Sequence, residues 1–276
     1  MKTIAFPAIK GGVGKTTICF NFGEYLARKL NQRVLFIDMD SQCSLTKTLN
    51  DASDNSVFDN ESNVGNILAE RGGDADIKEV DQNIFAIAGA VDLDNIETMI
   101  ENSADKNKRL YKWFLDRKQA LNDNFDYCLI DCHPDFGTAT RNAILVSDAI
   151  ISPIIPGRYS FDSKDNIEIR LQQFKEEEIQ DYETNESFVK AKLFYALNML
   201  QNNTKASREI IETLGSDDNI IAQIPRRELF NHSTMQSKSL TEMEDDKAIL
   251  QRNRNFFEKI DDIFLQMKNT IDLLQN

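Results

Sequence analysis

The chain has no apolar run long enough to cross a bilayer. Its runs resemble Val34-Leu35-Phe36-Ile37, a few residues where a spanning helix needs about 20. The opening stretch Met1 to Pro7 has too short an apolar segment for a secretory leader, and no small-residue cleavage site follows it, so the expected location is the cytoplasm. Cysteine is scarce. Cys19, Cys43, Cys128 and Cys132 form no Cys-x-x-Cys pair, and His133 and His232 are the only imidazoles. A structural zinc site and a disulfide framework are thereby excluded, and reduced thiols are expected. A basic excess is also missing: the net charge is −13. That argues against a uniformly basic nucleic-acid binder, but charges are screened beyond roughly 8 Å at physiological salt, so a local basic patch can still hold a phosphate backbone.

With 41% hydrophobic residues over 276 positions, there is enough apolar surface for one large α/β domain. Lys2–Ala8 reads as a strand, Thr16–Lys29 as a helix with Ile18, Phe22, Tyr25 and Leu26 on one face, and Val34–Asp38 as a doubly buried strand. Residues 51–63, rich in Asp, Asn and Ser, read as an exposed loop. Further strands are expected at Asn83–Ala88, Tyr127–Asp131, Ala149–Pro153, Leu193–Leu197 and Ile220–Ile224. Helices are expected at Asp92–Asn102, Asn107–Leu121, Thr138–Ser147, Ser163–Ile179 and Lys205–Leu214, with residues 180–187 as a polar connection. A terminal helix over residues 252–275 carries Phe257, Ile260, Phe264, Met267, Ile271 and Leu274 on one face. This alternation predicts a single α/β P-loop domain over residues 1–276, with a mainly parallel, twisted sheet flanked by helices on both faces. Pro7 has no N–H for a sheet ladder, so it belongs at the strand end, where the chain turns into a Gly-rich loop.

That loop carries the sharpest chemistry: Lys10-Gly11-Gly12-Val13-Gly14-Lys15-Thr16-Thr17 lies between a strand and a helix N-terminus. Glycines let backbone N–H groups approach phosphate oxygens, and the helix end favours an anion. Lys15 then reaches the β/γ-phosphates and the Thr16 hydroxyl ligates Mg²⁺. Two apolar runs end in acids, Phe36-Ile37-Asp38-Met39-Asp40 and Tyr127-Cys128-Leu129-Ile130-Asp131. Acids at the C-terminal ends of parallel strands lie where ligands bind in such sheets.

The strict Gly-x₄-Gly-Lys-[Ser/Thr] pattern is not met, because Ile9 stands at the first glycine and Lys10 follows it. This arrangement resembles the deviant Walker A motif of the ParA/MinD superfamily, and the Cys132-His133-Pro134 segment resembles partition ATPases of Gram-positive plasmids. The resemblance implies ATP and Mg²⁺ as ligands, with Gly11, Gly12, Val13, Gly14, Lys15, Thr16 and Thr17 around the phosphates. It implies that Lys10 crosses a homodimer interface to the partner's nucleotide, and that Asp40 orients or activates the attacking water, Ser41 replacing the family's usual proline. It places Thr16, Asp38 and Asp131 at the metal, the acids through water or in its outer shell. Asn198, Met199, Pro225 and Arg226 would flank the adenine. No Asn-Lys-x-Asp motif is present, so ATP is expected over GTP. His133 is expected to shape a loop. Residues 51–125 match no named part of the family and form a variable connecting region.

Within that superfamily, a membrane-positioning branch would end in a basic amphipathic helix, whereas the terminal helix here balances Arg252, Arg254, Lys259 and Lys268 against Glu258, Asp261, Asp262 and Asp272. No membrane partner is expected. The partition branch remains: a protein that dimerises on ATP, binds DNA without sequence preference, associates with the nucleoid when ATP-bound, and hydrolyses ATP slowly until a centromere-bound, ParB-like partner stimulates it. Candidate DNA-phosphate contacts are Arg208, Arg226, Arg227 and Lys238. A membrane- or scaffold-positioning ATPase with the same engine is the alternative, and a small-molecule kinase a more distant one.

Overall fold

The computed structural model describes residues 1–276 except 54–56, 59–60, 70–72, 158–159, 182, 185 and 275–276. Seven strands build a parallel sheet: β1 (Lys2–Phe6), β2 (Val34–Met39), β4 (Ile84–Ile87), β5 (Tyr127–Cys132), β6 (Ala149–Ile154), β9 (Lys192–Leu200) and β10 (Ile220–Pro225). An eighth, β3 (Lys78–Asp81), joins antiparallel to β4 and closes one edge. The order is β10-β9-β6-β1-β5-β2-β4-β3, so β1 lies inside, between β5 and β6. A small hairpin ladder, β7 (Ile179–Asp181) with β8 (Glu186–Ser187), stands apart. β1 stops at Phe6, and Pro7 lies just beyond, where its missing N–H costs no ladder bond.

The period-two alternation of the strands assigns the two faces. Ile4 and Phe6, Val34 and Phe36, and Tyr127 and Leu129 point into one core. That core is shared with α1 (Lys15–Arg28), α2 (Ser44–Ala52), α10 (Glu228–Met235), α11 (Leu240–Met243) and α12 (Lys247–Asp272). Their neighbours Ala5, Leu35, Ile37, Cys128 and Ile130 point the other way. They meet α3 (Val64–Ala69), α4 (Leu93–Ile100), α5 (Arg109–Asp116), α6 (Lys118–Asn124) and α7 (Thr138–Leu145). α8 (Ser160–Glu177) and α9 (Lys205–Leu214) continue that layer over β6 and β9. Burial on both faces explains why the strands read as continuous apolar runs. α12 lays Phe256, Phe257, Ile260, Ile263, Phe264, Met267 and Ile271 into the first core.

Several local expectations are corrected. The helix expected over Asn107–Leu121 is a 3₁₀ turn at Lys106–Lys108 followed by two helices that meet at Arg117, which has non-helical backbone angles (φ −116°, ψ 10°). Long-range bonds hold the break. Asp74 accepts from Trp113 Nε1 at 2.8 Å and pairs with the Arg117 guanidinium, which also lies over the Trp113 ring. The expected loop at 51–63 begins as the last turn of α2, and part of it, 54–56 and 59–60, lies outside the described residues. Ile179 leaves the helix to start β7, within a stretch expected to be a plain connection, of which 182 and 185 lie outside the described residues. Position 275 of the expected terminal helix is likewise outside them.

A buried acid on α1 gives the fold a pH dependence. Glu24 is pushed up to about 7, chiefly by burial, with the Arg28 ion pair pulling the other way. A carboxyl whose folded pKa exceeds its unfolded value favours the folded state fully below the unfolded pKa, near 4.5, and that contribution is lost as pH rises through 7. Chemical denaturation should therefore show stability falling by a few kcal/mol between about pH 4.5 and 7.5 from this group. Glu24→Gln should flatten that segment of the curve. An unchanged slope in the variant would assign the dependence to other groups.

Candidate nucleotide site

The phosphate loop runs from the end of β1 to the start of α1. Gly12 (φ 73°) and Gly14 (φ 90°) both take left-handed backbone angles that a side chain would disfavour. Gly14 is the N-cap of α1 and makes no side-chain cap bond, so the first N–H groups of the helix stay available to an anion. Lys10, Gly11 and Gly12 are exposed on the rim, Val13 is buried, and Gly14, Thr16 and Thr17 are half-buried. Lys15 is 6% exposed.

Strand register sets the acids opposite the loop. The β2–β5 pairing places Asp38 beside Asp131, and alternation turns both to the α1 side. Asp131 is fully buried; its Oδ2 accepts the Thr16 hydroxyl at 2.6 Å, while its Oδ1 has no partner. Burial, with Asp38 alongside, pushes its carboxyl up to about 8, and Lys15 and the Thr16 hydroxyl pull it back. Asp38, 1% exposed, rises to about 6, again chiefly by burial. Its oxygens brace the following turn: Oδ1 accepts the Asp40 N–H at 3.1 Å, and Oδ2 accepts the Thr46 N–H and hydroxyl at 2.9 and 2.7 Å. Thr46 Oγ1 in turn accepts the Gly89 N–H. Asp40, 6% exposed, follows β2 directly, and its Oδ1 accepts the Gln42 N–H at 2.9 Å. His133 donates its backbone N–H to Met39 O, and its Nδ1 lies 3.2 Å from Asp135.

An orphaned, buried carboxylate oxygen next to a threonine hydroxyl at a phosphate loop suits Mg²⁺, which takes few protein ligands and keeps water and phosphate oxygens. Among the described residues no group of three or more His, Cys, Asp or Glu side chains gathers as an all-protein metal cage.

A cavity of about 420 Å³ opens beside the loop. Gly12, Gly14, Lys15, Thr16 and Thr17 form one wall, Lys47 and Asp51 of α2 another, and Met235 and Ser237 a third. None of the last four is prominent in the sequence. The positive φ of Ser237 (49°) and the 82% exposure of Met235 go with the way α10 ends, which no local pattern announces. Asn198 and Met199 lie at the end of β9, Met199 with φ 55°. Pro225 ends β10, and the Arg226 N–H donates to Leu200 O, tying the two strand ends together. Arg208 lines a second cavity of about 260 Å³ with Lys259, a partner that sequence spacing does not reveal. Arg227 lies over the Phe256 ring, Arg226 is exposed, and Lys238 is half-buried.

A parallel sheet with a glycine-bent phosphate loop at its C-terminal edge and carboxylates behind it defines a P-loop nucleotide-binding protein. A family profile described as an AAA domain matches residues 1–189, and the chain belongs to that family. It is similar to the chromosome-partitioning ATPase Soj of Treponema pallidum, 32% identical over 55% of this chain and 56% of that one. The chain spans little more than half the length of the curated relatives it matches. The fold is that of Cyanothece McdA, in a D38A variant complexed with ATP (20% identity, 100% and 98% coverage, TM-score 0.76). It is also that of cobyrinic acid a,c-diamide synthase of Mycobacterium smegmatis with ADP and magnesium (21% identity, 94% and 97% coverage, TM-score 0.66).

Proposed function

We propose that this protein is a Mg²⁺-dependent, dimerising partition ATPase that binds DNA without sequence preference and works with a centromere-bound, ParB-like partner. The observation that carries the reading is one phosphate loop with two lysines in opposite settings, Lys15 buried beside Asp131 and Lys10 exposed on the rim. Lys15 neutralises phosphate charge within the protomer. Lys10, exposed on the rim, would reach the nucleotide of a second copy, as an arginine finger reaches its partner's nucleotide. The Soj similarity supports partition as the use of this engine.

In this mechanism the loop N–H groups and Lys15 hold the triphosphate, and Asp40 orients the attacking water and accepts its proton. Thr16 and Asp131 would hold Mg²⁺, which when bound neutralises charge on the phosphate oxygens. Asp38, with its oxygens engaged by the Asp40 and Thr46 groups, braces the Asp40 turn instead of contributing a ligand. The basic side chains Arg208, Arg226, Arg227 and Lys238 are the proposed DNA contacts, now with Lys259 beside Arg208. The membrane-positioning alternative is disfavoured by α12, whose apolar face is already packed into the core. No helix among the described residues is long and apolar enough to cross a membrane.

The test is binding to random duplex DNA and, separately, to anionic vesicles, each with ATP–Mg²⁺, ADP or no nucleotide. DNA binding that requires ATP and weakens steeply with salt is expected, because contacts to several phosphates release counterions. Vesicle binding without DNA binding would move the protein to the membrane branch. Lys10→Ala should bind ATP and stay monomeric in light scattering; an ATP-dependent dimer of that variant would remove the crossing lysine.

A further inference from the structure

The peptide that carries Asp40 is held at both ends. Its C=O, from Met39, accepts the backbone N–H of His133 at 3.2 Å, and its N–H donates to Asp38 Oδ1 at 3.1 Å. A planar peptide bonded on both sides is pinned against rotation, which sets the backbone from which the Asp40 side chain leaves. One hold, Asp38, lies on the same strand as Met39. The other comes from the loop that joins β5 to α7, so that loop must itself be held.

Its bonds can be followed from His133 into the helix. His133 O accepts the Asp135 N–H at 2.8 Å, and Asp135 Oδ1 accepts the Gly137 N–H at 2.9 Å. Gly137 is the N-cap of α7 and has no side chain with which to cap it, so the first N–H groups of the helix need acceptors from elsewhere. Glu97 of α4 supplies one: its Oε1 accepts the Ala139 N–H at 2.6 Å, across 42 positions. Gly137 makes room for this approach, since a Cβ there would stand 3.1 Å from Glu97 Oε1 and 3.2 Å from both Asp135 carboxylate oxygens. Leu93, Ile96 and Ile100 anchor α4 in the second core, so Glu97 reaches out from a fixed support. Burial pushes the half-buried Glu97 carboxyl up, the Ala139 bond pulls it back, and Asp135 and Asp94 add to the rise. The position asks for an acceptor more than for a charge.

We propose that Glu97 is a positioning residue for hydrolysis: by capping α7 from α4 it holds the loop after β5, whose His133 N–H fixes the peptide that carries Asp40. The proposal rests on the reading of Asp40 as the residue that handles the attacking water. It also gives a task to α4, which lies in the stretch 51–125 that family resemblance leaves without one.

The test is a double-mutant cycle. Single-turnover phosphate release is measured for the wild-type protein, Glu97→Ala, Glu97→Gln, Asp40→Ala and the combination of Glu97→Ala with Asp40→Ala. ATP affinity is measured by calorimetry, and melting curves report whether each variant folds. Glu97→Ala should slow release by about ten-fold, the kind of loss a small misplacement of a reacting group causes, with ATP affinity within a few-fold of wild type. Glu97→Gln keeps an oxygen that can accept the Ala139 N–H, so it should recover most of the rate. In the Asp40→Ala background, Glu97→Ala should slow release no further, because the group it positions is gone. If Glu97→Ala does not fold, Glu97→Met takes its place, keeping the length without an acceptor. A folded Glu97→Ala with the wild-type rate, or one that slows release equally in both backgrounds, would overturn the proposal. So would Glu97→Gln as slow as Glu97→Ala. A wild-type rate in Asp40→Ala would instead sink the reading of Asp40 on which the proposal stands.

Discussion

Lys15→Ala should abolish measurable ATP binding, with affinity falling by at least ~10²-fold. The side chain is 6% exposed at the start of α1, where a triphosphate brings several negative charges next to Asp131 and Asp38. Lys15 is a cation that already draws the Asp131 carboxyl downward, against the pull of burial and of Asp38. Without it the phosphates would enter a buried pocket with no countercharge, beside the Asp38 carboxylate. The Gly-rich N–H groups would remain, but backbone dipoles do not replace a full charge in a buried setting. Titration calorimetry with ATP–Mg²⁺ decides the matter, and affinity equal to wild type would remove Lys15 from the phosphate site.

Asp40→Ala should separate binding from chemistry. The residue follows β2, and its backbone N–H, which the substitution keeps, donates to Asp38 Oδ1. The turn therefore survives the loss of the side chain, although the Gln42 N–H loses its acceptor. ATP affinity should stay within a few-fold of wild type. The hydrolytic rate should fall by ~10²–10⁴ if the carboxylate takes the water's proton. Single-turnover phosphate release measures this directly, and an unchanged rate would assign proton acceptance elsewhere. The variant would then hold ATP without consuming it, which makes it the natural reagent for trapping the proposed dimer.

Much of the fold was legible because both faces of the sheet are covered. Val34–Met39 and Tyr127–Cys132 read as continuous apolar runs ending near acids, and helix-covered parallel strands have that appearance. The phosphate loop was legible from spacing alone, since glycine, lysine and threonine act there through the backbone and through short reach. What the sequence hid depends on contacts across long stretches of chain. The break at Arg117 is held by Asp74, whose partnership with Trp113 no window of residues reveals. Glu24 reads as an ordinary polar position on a helix, yet the fold buries it against α11. Arg208 and Lys259 are 51 positions apart and meet at one cavity. Asn198 was marked from resemblance, and the sequence does not show its bond to the Val13 carbonyl, 185 positions away.

The strand order also bears on how the chain is made. β1 is synthesised before its sheet neighbours β5 and β6, which emerge more than 120 residues later. The core on the α1 side closes only when α12 arrives with its row of aromatic and aliphatic side chains. Until then the growing chain carries apolar surface without a cover. The interval before α12 packs is when the exposed apolar surface of the growing chain most needs protection.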